Sequence, residues 1–429
     1  MNIISAISKA TQTEDALADV LDGLGVSANT DTHHKDSHSI PSILFVSFCE
    51  TLNAHEIHKT LKEQLYCPIV GASSCLSPLT TRSQQLDVSL SVLAIFDSEG
   101  NYGVGQAIMT EQNDAHQAAA TATQQALQKS DRALESPTAI WCMLTPGSEE
   151  LALEGIKSVI GPHVPVFGGS CADNNIEGHW HVLNDVGAHS NAVVVVTLYP
   201  STPLGLYFSS GYEPTSHRFI ASQCHHRTVG RLDGKHAADC YNTATQNSIH
   251  QQLKGGNILA LSTLNPMGRK VTLPDGIDDF ILSHPEAVTE HRELTFFSEI
   301  HNGDELILMQ GSTPNLIARA KRVIENAISL LPIGRSPAGI LMIYCAGCML
   351  ALQDNITDML KELNIAFPAL PIMGYYTFGE QGQFSDGVNR HGNLMISAVV
   401  LSSSTTSSST ITSTTNSSTL SPMNSQPNL

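Results

Sequence analysis

Three segments of the chain set glycine and small polar residues, with a thiol or a carboxylate, directly after a short apolar run. They are PIVGASSCLSPL from Pro68, PVFGGSCADNNIEG from Pro165 and PIMGYYTFGEQGQFSDGVN from Pro371. Apolar residues followed by glycine read as a buried strand running into a close-approach loop. Side chains on such a loop are placed to face a ligand. At Gly168, Gly169, Ser170 and Asp173, backbone N–H groups could cradle a carboxylate or phosphate. A strand-end turn capped by Asp173 accounts for the same residues. Tyr375, Tyr376, Gly379 and Glu380 offer aromatic faces and one carboxylate, suited to an amino group or a small polar ligand with an apolar stem. The other account of them is a packed hairpin loop with a solvated glutamate.

Other residues carry weaker signals. Cys345 and Cys348 form a lone C-x-x-C. With no second pair at zinc spacing, structural zinc is not indicated. A redox dithiol needs a strand–loop–helix context, which this segment has, and two buried thiols are the plainer account. His179 and His181 flank Trp180. In a strand they share one face, where they could ligate a metal or heme iron, or they are ordinary surface histidines. Cys224, His225 and His226 form a second soft cluster, and residues 32–38 a histidine-rich loop. Cys171, given a histidine nearby in space, could be a nucleophile. There is no Gly-x-Ser-x-Gly elbow, P-loop or His-Glu-x-x-His, and the Gly-Val-Gly at 103–105 lacks the rest of a dinucleotide fingerprint.

The elements that must position these residues form a repeated pattern. Before each glycine segment lies a short apolar strand with a cysteine near its end, carrying Cys49, Cys142 and Cys345, and then a helix-length stretch. Three such matches predict a duplicated strand–helix–strand unit. Helices are expected at 11–24, 55–65, 115–129, 149–160, 237–250, 316–331 and 350–363. Strands are expected at 42–48, 69–72, 86–96, 138–144, 164–167, 217–224, 229–232, 258–264, 294–297, 305–310, 340–345, 370–374 and 394–401, with 179–183 and 192–199 as an antiparallel pair. The reading is an α/β chain with two related halves, mixed sheets and flanking helices. Its divisions are an N-terminal helix and polar loop at 1–39, halves at 40–205 and 206–401, and a disordered Ser/Thr-rich tail at 402–429.

Composition narrows the function. A net charge of −18 speaks against nucleic acid and anionic membrane surfaces. An apolar fraction of 41% permits a sizeable core. Nine cysteines, an odd number in mostly apolar contexts, suit a reducing cytosol. The start lacks a basic signal region, and no stretch approaches the ~18–20 apolar residues of a membrane span. A soluble, cytoplasmic protein is expected.

The run at 168–173 resembles the amino-terminal half of a FIST sensory domain, and RLDGKHAADCYN at 231–242 is similar to the segment that opens its second half. IYCAGCML at 343–350 and GYYTFGEQG at 374–382 resemble the two signature stretches of the FIST carboxy-terminal half. The resemblance runs from about residue 40 to about residue 401. It implies a non-catalytic intracellular sensor of small ligands, amino acids having been proposed. Its ligand-binding residues would be Gly168, Gly169, Ser170, Asp173, Cys345, Gly347, Tyr375, Tyr376, Gly379 and Glu380. Output would pass to a separate partner. Proteins of this organisation include hemoproteins that sense nitric oxide and modulate a histidine kinase, so heme on His181 or His179 is the alternative. A thiol-dependent enzyme using Cys171 or Cys345 is another, and a ligand-free scaffold a fourth. After Cys-Ala-Gly the family usually has a basic residue where this chain has Cys348, which puts the anion contact expected there in question.

Overall fold

A computed structural model of the chain describes residues 1–26, 40–274 and 276–404. The histidine-rich loop at 32–38 and the Ser/Thr-rich residues 405–429 lie outside the described residues.

Three sheets are built alike. The first takes strand Asn2–Ser8, helix Thr13–Gly23, strand Ile43–Cys49, helix Ala54–Leu65 and strand Ile69–Ser74, parallel to Ile43–Cys49. Strand Leu90–Phe96 then enters antiparallel between the first two strands. The second repeats this order with Asn101–Ile108, Ala115–Lys129, Ala139–Leu144, Glu149–Ile160, Val166–Ser170 and Ala192–Tyr199. The third uses Leu204–Ser210, helix Thr313–Ser329, Arg335–Cys345, helices Ala346–Leu352 and Ile356–Ala366, Ile372–Thr377 and Met395–Ser404. The mixed α/β class expected from the sequence is what the chain forms, with a threefold repeat beneath it.

The repeated Pro-x-x-Gly has a structural cause. The carbonyls of Pro68, Pro165 and Pro371 accept from Leu44, Ile140 and Ile340 N–H at 2.9, 2.8 and 2.9 Å, which sets the register of each parallel pair. The glycine three residues on lies against the neighbouring backbone. A Cβ would stand 2.4 Å from the Val46 oxygen at Gly71, 1.7 Å from that of Cys142 at Gly168, and 2.2 Å from that of Met342 at Gly374. These glycines are interior strand residues.

Sheet faces from all three repeats share one core, where Phe45 packs edge-on against Trp141 at 5.7 Å and Trp141 against Tyr375 at 6.0 Å. Helices Thr13–Gly23 and Ala54–Leu65 cover the outer face of the first sheet, and Ala115–Lys129 with Glu149–Ile160 that of the second. The repeats also exchange strands. Leu79–Thr80 pairs with the third sheet, and Glu380–Gln383 pairs with Val166–Ser170 of the second. Between Leu204–Ser210 and helix Thr313–Ser329, the third repeat carries an insertion with its own nine-stranded sheet and a core around Tyr241 and Phe296.

Several elements differ from the sequence expectation. The first strand of each repeat, Asn2–Ser8, Asn101–Ile108 and Leu204–Ser210, is absent from the strands expected from the sequence. Within Asn101–Ile108, Gly103 and Gly105 let the helix backbone come close: a Cβ at either would stand 1.9 Å from the Ala126 or Ala122 oxygen. Residues 258–264 are not a strand but hold a short helix, Leu259–Ser262, started by Asn257 Oδ1 accepting the Leu259 N–H at 2.9 Å. Strand Ala192–Tyr199 pairs with Asn101–Ile108 and Ala139–Leu144, not with 179–183. Only Val182–Leu183 of that stretch is extended, and it joins the first sheet. Ser402 is not tail but sheet: it is buried, and its hydroxyl donates to the Pro203 carbonyl at 2.6 Å. Among the described residues no helix is long and apolar enough to cross a membrane.

Candidate ligand site

The strand ends of the repeats and the insertion meet around a cavity of about 420 Å³. The first repeat contributes Cys75, and the second the loop from Asn174 to Ile176. The third contributes Cys345, Gly347, Thr377, Phe378 and Asn393, and the insertion Leu259, His284 and Phe297.

Each wall is tied to its neighbour by a side chain. Asn174 Oδ1 accepts the Leu76 N–H at 2.6 Å, joining the second repeat to the first. Asn393 joins the third repeat to the insertion: its N–H donates to the Leu282 carbonyl at 2.9 Å, and its Oδ1 accepts the His284 N–H at 3.2 Å. That leaves Asn393 Nδ2, buried and without a protein partner. Cys345 ends its strand and opens helix Ala346–Leu352. Gly347 packs closely there: a Cβ would stand 2.9 Å from Leu394 Cδ2, which would have to turn aside.

Burial favours the neutral form of the titratable groups that line the cavity, Cys75, His284 and Cys345. Burial pulls His284 down to about 4, and its Nε2 lies 3.2 Å from the Leu259 carbonyl. Glu380 stands behind the wall, accepting from Thr377 Oγ1 at 2.7 Å and Met395 N–H at 3.0 Å. Burial first, and the neighbouring Cys345 second, push its carboxyl well above the usual range. Burial likewise pushes the Cys345 thiol far up.

The residues expected to bind ligand divide between this cavity and its supports. Cys345 and Gly347 line it. Glu380 stands behind it. Gly168, Gly169 and Ser170 are buried strand residues away from its lining. Ser170 Oγ donates to Glu149 Oε1 at 2.7 Å, and its N–H to the Gly379 carbonyl at 2.8 Å. Asp173 shapes the wall from behind: its carboxylate accepts the N–H groups of Ile176, Glu177, Gly178 and His179 at 2.6 to 2.9 Å. Tyr375 and Tyr376 are fully buried in strand Ile372–Thr377, and neither hydroxyl has a partner.

His179 and His181 are not in a strand and part company. His179 is exposed and lies within metal-ligand distance of Glu50 and Asp173, whose oxygens already hold four N–H groups. His181 faces a separate recess of about 260 Å³ with His55 and His189. Burial lowers the pKa of both His181 and His189. Cys171 is fully buried, with a pKa pushed far up by that burial.

Sequence reasoning missed Asn174, His284, Phe297 and Asn393, which lie in bends and between strands, without a motif. It also missed a buried ion network. Arg227 Nη2 bonds Glu149 at 2.6 Å and Glu150 at 2.7 Å, and His391 Nδ1 lies 2.9 Å from Glu150 Oε1. Burial would raise both carboxyls, but the charges of His391 and Arg227 outweigh it and hold them below the usual range. The paired glutamates opening helix Glu149–Ile160 look like ordinary first-turn acids, and nothing in sequence joins them to partners so distant. An open polar groove of about 820 Å³ runs beside this network. Several of its cations are paired within the chain, including Arg269 with Asp304 at 3.4 Å and Arg390 with Asp386 at 2.7 Å.

Comparison with known families matches residues 42–235 to the FIST N domain and residues 237–383 to the FIST C domain. No curated protein is similar enough to count as a match. FIST domains are sensory domains that bind small ligands in signal transduction and are not catalytic. The two matched domains together span most of the chain, which therefore belongs to the FIST family.

Proposed function

We propose that this protein senses a small organic ligand in the cavity between the repeats and the insertion, and passes the signal to a separate protein. The observation that carries the reading is the convergence there of Cys345 and Gly347 with walls from every repeat. A ligand in that position touches segments far apart in sequence. It therefore favours whichever arrangement of them closes around it. We assign the output to a partner such as a histidine kinase, the organisation that the motif resemblance implies, and place the protein in the cytoplasm, as its nine free cysteines suggest.

Heme fits the histidines poorly. His181 shares a recess of about 260 Å³, below the ~300 Å³ at which ligand pockets usually begin. The cavity's own imidazole, His284, has its Nε2 against the Leu259 carbonyl. A thiolate enzyme is disfavoured by the raised pKa values of Cys171 and Cys345.

The test is a thermal-shift screen of small metabolites on the full chain, repeated on Ala260→Trp. Ala260 lines the cavity and is exposed, so an indole there obstructs it without entering the core. A stabilising ligand whose effect the variant abolishes supports the reading. A ligand equally effective on the variant places sensing elsewhere, and a stoichiometric Soret band after adding hemin would return the reading to heme.

A further inference from the structure

We propose that the ligand of this cavity is an uncharged, largely apolar molecule that presents a carbonyl oxygen to Asn393, and not a zwitterionic amino acid. This rests on the reading of the cavity as the sensor site.

The lining contains no Asp, Glu, Lys or Arg. Its one titratable ring, His284, is neutral near pH 7. The next layer adds little charge. Burial pushes the Glu380 carboxyl well above its usual range and its oxygens accept from Thr377 and Met395, while four N–H groups occupy the Asp173 carboxylate. An amino acid bound here would bury an ammonium and a carboxylate. Buried charges need an opposite charge or a full set of hydrogen bonds, and the lining supplies no cation for the carboxylate. Helix Ala346–Leu352, at seven residues, is too short to replace one.

What the lining does supply is apolar surface and, from Asn393, a buried donor without a protein partner. Leu259, Leu264, Phe297, Leu350 and Phe378 make most of the apolar wall. The polar side chains are largely committed: Thr263 Oγ1 donates to the Leu259 carbonyl at 2.8 Å, and Thr377 Oγ1 to Glu380 at 2.7 Å. Asn393 differs. Its Oδ1 is fixed by the His284 N–H, which identifies the other terminal atom as the NH₂. That donor is buried and has no partner in the protein. Buried donors are nearly always satisfied, and a carbonyl oxygen of a bound molecule would satisfy this one without introducing charge.

A matched pair of probes separates the alternatives. Cyclo(L-leucyl-L-phenylalanine) and linear L-leucyl-L-phenylalanine carry the same side chains and differ by one water and two terminal charges. Both are titrated calorimetrically into the full chain, alongside a mixture of free amino acids. The cyclic dipeptide is expected to bind at least 100-fold more tightly than the linear one. Asn393→Leu, close to it in volume, removes the donor without adding a charge. It should weaken the cyclic dipeptide at least 10-fold. It also leaves the buried His284 N–H without its acceptor, so the melting temperature is expected to fall, and affinity is read at a temperature where the variant remains folded.

Tighter binding of the linear dipeptide or of amino acids overturns the inference, as does binding of no probe at millimolar concentration. Ala260→Trp keeps the two readings apart. If charged probes bind and Ala260→Trp abolishes it, the cavity remains the sensor site and only the neutral-ligand inference falls. If binding survives Ala260→Trp, the cavity reading falls as well.

Discussion

Replacing Arg227 with methionine tests whether the buried ion network holds the insertion against the second and third repeats. The guanidinium bonds Glu149 and Glu150 at 2.6 and 2.7 Å, and the three side chains are 21%, 2% and 26% exposed. Arg227→Met strands the buried Glu149 carboxylate and the partly buried Glu150 carboxylate, with His391 Nδ1 still 2.9 Å from Glu150. Removing one member of a buried pair typically costs about 3–5 kcal/mol, and that loss is expected at pH 7. The pH dependence carries a sign. In the parent, both carboxyls titrate below the usual range, so their contribution is complete above the unfolded-state pKa and is lost as pH falls through the lower folded value. In the variant burial dominates and the folded pKa values rise, so the penalty is largest near neutrality and shrinks as pH falls toward 5. Urea denaturation at pH 7 and pH 5, followed by the fluorescence of buried Trp141, measures both quantities. Adding Glu149→Gln and Glu150→Gln removes the stranded charge and should restore most of the loss. A variant within about 1 kcal/mol of the parent at pH 7 refutes the reasoning, because stranding the buried Glu149 carboxylate beside a partly buried Glu150 cannot be that mild. So does a penalty that grows on acidification.

Three further outcomes are expected. Gly168→Ala combines φ +149° with a Cβ placed 1.7 Å from the Cys142 oxygen, and should cost more than about 4 kcal/mol or abolish folding, as read from soluble yield and denaturation midpoint. Tyr375→Phe and Tyr376→Phe remove buried hydroxyls that have no partner and should raise stability by about 1 kcal/mol each, with ligand affinity unchanged within about threefold; a larger loss of affinity would place these tyrosines at the ligand after all. Alkylation by iodoacetamide at pH 8, read by peptide mass spectrometry, should modify the partly exposed Cys224 and Cys240 well before Cys171 and Cys345, whose burial and raised pKa values suppress the thiolate.

The sequence disclosed repetition better than purpose. Pro-x-x-Gly stands out three times because the proline carbonyl, the parallel register and the backbone approach at the glycine recur together. The pattern that draws attention to Gly168 and Gly169 is thus a packing requirement. The first strand of the second repeat was hidden for the same physical reason. Gly103 and Gly105 look like turn residues until helix Ala115–Lys129 is laid against them. The candidate site was legible where a wall residue sits at the end of a repeated strand, as Cys345 does. It was illegible where the wall comes from the insertion. His284 and Asn393 are 109 residues apart, and one backbone N–H to one amide oxygen brings them together. Tyr375 and Glu380 were visible as unusual residues, but single-sequence patterns do not say whether an aromatic on a strand end faces a cavity or fills a core. Here both are fully buried.

The position of the cavity follows from how the third repeat departs from the other two. In the first two repeats the opening strand leads directly to its helix: Asn2–Ser8 to Thr13–Gly23, and Asn101–Ile108 to Ala115–Lys129. In the third, the insertion lies between Leu204–Ser210 and Thr313–Ser329. It returns across the strand ends of the other repeats and closes the space with Leu259, His284 and Phe297. Segment 377–380 then bounds two features at once. Thr377 and Phe378 face the cavity, while the Gly379 carbonyl accepts from Ser170, itself bonded to Glu149 of the ion network. A ligand in the cavity therefore adds contacts among segments that the ion network already joins from the other side. Binding only to the closed arrangement would strengthen it by RT ln(1 + [L]/Kd), about 2.7 kcal/mol at a hundredfold excess over Kd. That is comparable with the cost expected for losing Arg227. A ligand should accordingly restore much of the stability of Arg227→Met while leaving its pH dependence in place, since the stranded carboxylates are not in the cavity.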